Sequence, residues 1–334
     1  MITVLQIENV YYPVLAAFGV PANLMTIAIL SRGNCDLSKC ISLYMTAMAA
    51  ADLLVMIFNV IIYRVISFHF PSSFLSYTAV CKFILSLNPA ILDLSVWFTV
   101  SFTFDRFVAI CCQKFKTKYS TQKTATVVLT IVSVVMYFEN IPFWFAYEPE
   151  RIINNISWGC LSSVVFYSSP AGVAYSWFKS IFVAWLPFCL ILLFNCLTIR
   201  RIIVASRARR ALRGHHRENQ SDLEMKNRRK SITLLFGVSG SFLLFWLTAV
   251  VSFLTTRLPS TAQTRGDFAT PEYIATETGC MLMYLSSCSN TFIYAATQTK
   301  FREEIKKVMI IPWTLILTLV KKKEKKKKTF SSPS

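Results

Sequence analysis

Residues 41–66 read ISLYMTAMAAADLLVMIFNVIIYRVI, a run whose only charged members are Asp52 and Arg64. About twenty predominantly apolar residues are enough for a helix to cross the roughly 30 Å hydrocarbon core of a bilayer. Backbone groups in lipid have no water to bond to, so a spanning segment of this kind has to be helical. The stretch therefore predicts a transmembrane helix.

Further long apolar segments extend this reading to the rest of the chain. The 334 residues are 54% hydrophobic and only 16% charged, whereas soluble domains are about 45–50% apolar and about 25% charged. Several segments exceed the minimum span, which implies tilted helices or helices that project beyond the membrane. We predict an all-α membrane protein, a seven-transmembrane helix bundle. The other predicted spans are 10–30, 78–111, 124–147, 173–204, 230–257 and 271–297.

The basic residues predict the orientation of the bundle. With the amino terminus outside, 29 of the 35 Lys and Arg residues fall on the inner side or at inner helix ends, as the positive-inside rule requires. The net charge of +18 does not indicate nucleic acid, because neither an aromatic base-stacking face nor a zinc-finger spacing accompanies the basic residues. We expect a multi-pass plasma-membrane protein and no nucleic-acid partner.

The cysteines and a glycosylation triplet agree with this topology. Of ten cysteines, only Cys81 and Cys160 would face the oxidising outer side, and a single disulfide between them is the simplest expectation. Asn155, in the triplet Asn-Ile-Ser of the same outer loop, is an N-glycosylation acceptor on the correct side.

The domain boundaries follow from charge. We predict a membrane domain over 1–310, ending in a short amphipathic helix at 298–310 on the inner leaflet, and a basic cytoplasmic tail over 311–334. The tail contains Lys321–Lys328, broken only by Glu324, and basic clusters of this kind bind anionic membrane lipids. The polar segment 205–228 is predicted to be a mobile inner loop.

Three motifs give the chain a family resemblance. Phe104-Asp105-Arg106-Phe107 ends the third segment, 25 residues after Cys81 at Arg106, and resembles the Asp-Arg-Tyr motif of rhodopsin-like (class A) G-protein-coupled receptors. Phe245-Trp246-Leu247-Thr248 resembles their Cys-Trp-x-Pro motif, and Asn290-Thr291-Phe292-Ile293-Tyr294 resembles Asn-Pro-x-x-Tyr. Thr248 and Thr291 stand where the family has proline, so the usual kinks of the sixth and seventh helices are in doubt.

The resemblance implies a buried polar cluster that can hold an allosteric sodium ion. Asp52 is an intramembrane carboxylate, which is costly and functional by default. Two arrangements would compensate the cost of burying Asp52. Its carboxylate could be part of an oxygen-lined cation site, or it could be protonated and hydrogen-bonded within the bundle. No other cofactor is expected. The cluster would comprise Asn23, Asp52, Ser95, Ser287 and Asn290.

The same resemblance assigns the switch residues. Asp105 would hold Arg106 in the resting state, with Trp246 beneath the ligand pocket and Tyr294 swinging inward on activation. An extracellular ligand would favour the active arrangement by its differential affinity, helix six would move outward, and a heterotrimeric G protein would enter the inner cleft.

The ligand pocket is expected between the third, fifth, sixth and seventh helices. Alternatively, Asp93 forms an interhelical hydrogen bond toward helix four or five instead of contacting a ligand. Shorter stretches around Pro142, Asn195 and Phe301 resemble the orphan receptors that sense tryptophan and phenylalanine, which suggests an aromatic amino acid or a peptide as ligand. Arg257 and Glu277 would then bind the two charges of a zwitterion. The pocket candidates are Asn88, Asp93, Trp246, Arg257 and Glu277.

Two other classes of membrane protein remain as alternatives, a receptor-like protein without G-protein signalling and a small-solute transporter. Transporters tend to contain inverted repeats, and no internal repeat is evident in the sequence. An enzyme is not expected, because no His-Glu-x-x-His or Gly-x-Ser-x-Gly motif occurs.

Overall fold

The computed structural model of the protein describes residues 4–212, 219–255, 271–308 and 310. Within these ranges the chain forms a bundle of long helices, which confirms the predicted all-α membrane fold. The long helices, labelled in chain order, are α1 Val4–Ser31, α2 Lys39–Leu54 with its π-helical continuation Val55–Ile66, α3 Thr78–Cys111, α4 Gln122–Glu139, α5 Pro170–Lys179 with Ser180–Trp185 and Leu186–Leu212, α6 Asn219–Thr255, and α7 Pro271–Thr297.

Among the described residues, six of these helices, α1 to α6, are long and apolar enough to cross a membrane. The helix α7 is 27 residues long, but Thr, Ser and Glu residues dilute its apolar content. It nevertheless packs against α1, α2 and α6. A helix enclosed by others needs less apolar surface, because other protein segments replace lipid as its surroundings.

Several predicted boundaries differ from the structure, most clearly in α4 and in the segment 205–228. The α4 helix ends at Glu139 instead of 147, and a 3-10 turn follows at Ile141–Phe145 with Pro142 in its first positions; a proline ring disfavours α-helical geometry in the residue before it. The prediction of an inner loop over 205–228 is wrong at both ends. Helical backbone continues through 212 and resumes at 219, because long charged side chains are good helix formers.

Two helices contain π-helical segments that the sequence did not indicate, at Val55–Ile66 in α2 and Ser180–Trp185 in α5. The second ends immediately before Leu186 and Pro187. By contrast, α6 is helical through Thr248 and α7 through Thr291. Each threonine retains the backbone N–H that a proline lacks, so these helices continue without interruption.

The bundle carries apolar side chains both inside and outside. Phe18, Phe83 and Leu244 are more than half exposed, as expected where lipid replaces water as the solvent. Close contact between α1 and its neighbours depends on Gly19, since a Cβ there would clash with Cys288 Sγ and lie 2.7 Å from Met56 Sδ. Small residues of this kind let membrane helices approach closely.

A disulfide between Cys81 and Cys160 is present, as predicted. It joins the start of α3 to a loop formed by two short antiparallel strand pairs. Asn154 and Asn155 both have positive φ, 51° and 61°, which is the geometry of a two-residue hairpin turn. The exposed glycosylation candidate Asn155 therefore lies at the tip of this turn. The strands are β1 Tyr147–Glu148 paired with β4 Leu161–Ser162, and β2 Arg151–Ile153 paired with β3 Ile156–Trp158.

The two ends of the bundle are named here by their markers: the disulfide end carries Cys81 and Cys160, and the arginine end carries Arg106. At the arginine end, helical backbone over 299–308 follows α7. Phe301 is fully buried there and packs edge-to-face on Tyr294, with ring centroids 5.8 Å apart. The predicted terminal helix is thus helical and amphipathic. The predicted tail, 311–334, lies outside the described residues.

Candidate functional site

A polar cluster centres on Asp52 in the middle of α2, where the carboxylate is 1% exposed. Ser95 Oγ of α3 donates to Asp52 Oδ1 at 2.5 Å, and Asn290 Nδ2 of α7 donates to Asp52 Oδ2 at 2.8 Å. The Ser287 side chain also lies within hydrogen-bonding reach of this carboxylate. One buried carboxylate thus joins three helices, since a buried charge is tolerated only when it is hydrogen-bonded or paired.

Asn23 adds α1 to the cluster. Its Nδ2 donates to the backbone oxygens of Gly19 and Ser287, both at 3.0 Å. Its Oδ1 is buried without a hydrogen-bond partner, and an orphaned buried acceptor of this kind calls for an additional donor or cation. The carboxylate and hydroxyl oxygens around Asp52 are of the kind that hard cations prefer as ligands. The residues present therefore fit a small cation.

At the arginine end, Arg106 is held by its neighbour Asp105. Arg106 Nε donates to Asp105 Oδ2 at 3.0 Å, and Nη2 donates to the same oxygen. The other carboxylate oxygen accepts from Ser120 Oγ at 3.0 Å and from Cys40 Sγ at 3.5 Å. Both oxygens of this buried carboxylate thus accept hydrogen bonds, from Arg106 of α3, from the start of α2 and from the segment that follows α3. Burial, followed by the nearby Asp105 carboxylate, raises the pKa of Tyr119 above its ordinary value.

The two predicted aromatic switch residues are buried in different parts of the bundle. Trp246 of α6 is 3% exposed and stacks on Phe242 with ring centroids 5.0 Å apart. It lies in an apolar cluster formed with α3, α5 and α7. Tyr294 is fully buried near the arginine end, and its hydroxyl has no partner. The Tyr294 hydroxyl is therefore available to form a hydrogen bond if the helices around it are rearranged.

Two further polar contacts join helices, one at Thr291 and the other between α5 and α6. Thr291 Oγ1 and Thr26 Oγ1 lie 2.8 Å apart, linking α7 to α1. Asn195 of α5 and Ser239 of α6 exchange two hydrogen bonds, with Asn195 Nδ2 donating at 2.9 Å and Ser239 Oγ donating at 3.1 Å. The second pair holds α5 against α6.

The structure gives Asp93 an interhelical role instead of an open position in a pocket. Asn140 Nδ2 donates to Asp93 Oδ2 at 2.7 Å, and the Lys179 ammonium of α5 donates to the same oxygen. The ammonium also donates to Glu139 Oε1 at 2.8 Å and to Asn140 Oδ1 at 3.0 Å. This group, here called the Lys179 network, therefore joins α3, α4 and α5. These contacts match the alternative prediction for Asp93, an interhelical hydrogen bond toward helix four or five.

Two other predicted pocket residues, Asn88 and Glu277, contact α2. Asn88 is 7% exposed, and its backbone oxygen accepts from Asn59 Nδ2 at 3.2 Å. Glu277 pairs with Arg64 of α2, with Arg64 Nη2 and Glu277 Oε2 2.9 Å apart. Arg257, which was expected to bind the other charge of a zwitterion, lies outside the described residues. Glu277 is thus oriented by α2, because that helix carries the cation within reach.

Sequence reasoning missed Lys179, Arg64 and Glu139 as members of buried polar groups. All three are ionisable residues inside long apolar segments, and that position alone indicates a charged partner within the bundle. The signal was therefore available for each residue. The identity of the partner was not, because it depends on which helix faces meet.

The fold and the polar groups together define a multi-pass α-helical membrane protein with one polar cluster buried at mid-bundle and an arginine held by its neighbouring carboxylate at one end. The class is that of heptahelical receptors. The sequence profile of the 7 transmembrane receptor (rhodopsin family) matches residues 22–294. The chain belongs to this family, whose members signal through G proteins.

Proposed function

We propose that this protein is a plasma-membrane receptor that binds a small extracellular ligand and activates a heterotrimeric G protein on the inner side. The disulfide end would face outward and the arginine end inward, in line with the distribution of the basic residues. The observation that carries the proposal is the buried pairing of Arg106 with Asp105 at the arginine end. This local pair can be exchanged for an interaction with a partner protein.

The described contacts correspond to a resting arrangement. Asp105 and Ser120 hold Arg106 in place, while the Asn195–Ser239 hydrogen bonds keep α5 and α6 together. An agonist would act by binding more tightly to an arrangement in which these contacts are broken, since a ligand with equal affinity for both states shifts nothing. Separation of α6 from α5 would then uncover Arg106 for the G protein.

The Asp52 cluster would regulate this transition by holding a sodium ion. Asp52, Ser95, Ser287, Asn290 and Asn23 would supply the oxygen atoms, and the ion would neutralise the buried carboxylate. Because these residues come from α1, α2, α3 and α7, occupancy would favour one relative placement of the four helices.

For the ligand we propose an aromatic amino acid or a small peptide, bound at the disulfide end above Trp246. Motif resemblance supports this choice, as do the aromatic and aliphatic side chains around Trp246. Asn88 would contribute a polar contact.

The test is nucleotide exchange on purified heterotrimeric G proteins by the full chain in lipid nanodiscs, with and without aromatic amino acids. We expect exchange above the rate of the G protein alone, and we expect Arg106→Ala to abolish the increase. Arg151→Ala is the matched control, because Arg151 is an exposed arginine in the loop at the disulfide end. Equal exchange by wild type and Arg106→Ala would refute the assigned role of Arg106.

A further inference from the structure

A cavity of about 240 Å³ opens between α1 and α2 at the disulfide end. It lies apart from the Trp246 cluster, whose residues come from α3, α5, α6 and α7. Its walls combine aromatic rings with charged groups, a mixture typical of small-molecule sites in which a few polar atoms orient the ligand. The lining residues that matter here are Glu8, Asn9, Tyr12, Tyr63, Arg64 and His69.

Polar atoms in this wall lack partners. Glu8 is only 8% exposed, yet its Oε1 has no hydrogen-bond partner. The Arg64 Nε and the Tyr12 hydroxyl are buried and unpartnered as well. A buried polar group left unsatisfied is destabilising, so a cluster of them beside a cavity indicates a site for a binding partner.

The charges around the cavity do not balance. Arg64 Nη2 lies 2.9 Å from Glu277 Oε2, whereas Arg64 Nη1 lies 3.9 Å from Glu8 Oε2. The guanidinium therefore lies closer to Glu277 than to Glu8, although Glu277 Oε2 has no hydrogen-bond partner. Two carboxylates thus share one positive charge. A buried carboxylate is stable when it is fully paired. The remaining negative charge is on Glu8, at the cavity wall.

The Arg64 guanidinium already occupies one face of each of two tyrosine rings at this site. The Arg64 guanidinium carbon lies 5.2 Å from the Tyr12 ring centroid and 5.6 Å from the Tyr63 ring centroid, within the range of a cation–π contact. A quaternary ammonium ligand is recognised mainly through such faces and carries no N–H donor. A primary ammonium carries three donors, and a carboxylate oxygen such as Glu8 Oε1 can accept one of them.

We propose that this cavity, between α1 and α2, binds the primary ammonium group of a small ligand, with the Glu8 carboxylate as its acceptor. Glu277 holds Arg64 against the two tyrosine rings and so keeps the guanidinium from neutralising Glu8. This site goes beyond the pocket above Trp246. Its occupancy is measured by binding alone, so it stands or falls separately from G-protein coupling.

The probe is 2-phenylethylamine, compared with its neutral isostere 2-phenylethanol and its N,N,N-trimethyl derivative. Binding to the full chain in nanodiscs is followed by saturation-transfer NMR at pH 8. A charge-assisted hydrogen bond contributes about 1.5–3 kcal/mol, which corresponds to at least about tenfold in affinity. We expect the amine to bind at least about tenfold more tightly than either comparator.

Variants assign the effect to the cavity. Glu8→Gln should remove the preference for the amine, whereas Glu150→Gln, which makes the same change in net charge at an exposed loop position of the same end, should retain it. Asn9→Asp adds a carboxylate to the wall and should tighten amine binding, so the proposal can be tested even if Glu8→Gln fails to fold. Equal affinity for the amine and the alcohol, or an unchanged preference in Glu8→Gln, would overturn the proposal; so would weaker amine binding by Asn9→Asp.

Discussion

The Lys179 network offers a quantitative test of how buried charge contributes to this bundle. Replacing Lys179 by methionine removes an ammonium that donates to Asp93, Glu139 and Asn140, with the last two distances 2.8 and 3.0 Å. The lysine side chain is only 10% exposed, and the two carboxylates are 2% and 10% exposed. Breaking a buried pair by removing one partner costs about 3–5 kcal/mol, because an uncompensated charge remains. We expect Lys179→Met to lower the free energy of unfolding by this amount.

The measurement is equilibrium unfolding of the full chain in lipid nanodiscs. Lys300→Met is the matched control, because Lys300 pairs with Glu303 at 3.3 Å but both side chains are about half exposed. Exposed ion pairs contribute about 0–1 kcal/mol, so the control should remain close to wild type. The contrast tests burial, since the two substitutions are chemically identical.

A triple variant separates stability from specificity. Replacing Asp93 and Glu139 by leucine together with Lys179→Met removes every charge of the network, and such replacements are often neutral or stabilising. We expect the triple variant to recover most of the stability that Lys179→Met loses. A loss below about 1 kcal/mol for Lys179→Met, within the range of an exposed pair, would refute the reasoning. Failure of the triple variant to recover would show instead that the network directs packing.

Two further predictions concern the helices around Asp52. Gly19→Ala should destabilise the protein by about 1–3 kcal/mol through overpacking. Gly240→Ala is the control, because an added Cβ there meets nothing within 4 Å, and it should be neutral or stabilise the protein by up to about 1 kcal/mol. Thermal unfolding measures both effects. Replacing potassium by sodium at constant ionic strength should reduce basal nucleotide exchange by the wild type, and Asp52→Asn should remove this sodium dependence, because a neutral amide cannot compensate a cation.

Each of these predictions has a contradicting outcome. Equal unfolding temperatures for the two glycine variants would show that α1 can move away from α2 and α7 at little cost. Sodium dependence that persists in Asp52→Asn would place the ion elsewhere, and equal exchange in sodium and potassium would remove the ion from the mechanism.

Much of the fold could be predicted from the sequence, because lipid imposes its requirement locally. The predicted third and seventh segments, 78–111 and 271–297, coincide with the helices α3 and α7. Their apolar length is a property of consecutive residues, and in lipid only helical backbone satisfies it. The disulfide was also predictable, because the inferred topology left only Cys81 and Cys160 on the oxidising side.

Local helix geometry was less predictable. The π-helical segments of α2 and α5 consist mainly of ordinary apolar residues, and the wider turn of a π-helix leaves no compositional trace. The continuity of α6 and α7 was left open by Thr248 and Thr291, since a missing proline permits a straight helix without requiring one. In each case packing against neighbouring helices selects one geometry among several that the backbone can adopt.

By itself, the sequence determined that the chain crosses the membrane as helices and that Asp52, Asp93, Arg64 and Glu277 are charged groups in apolar surroundings. Only the tertiary structure decided their partners: Ser95 and Asn290 for Asp52, Lys179 for Asp93, and Arg64 for Glu277. The physical reason is that burial cost depends on a residue's own segment, whereas compensation depends on the rotation and depth of a different helix.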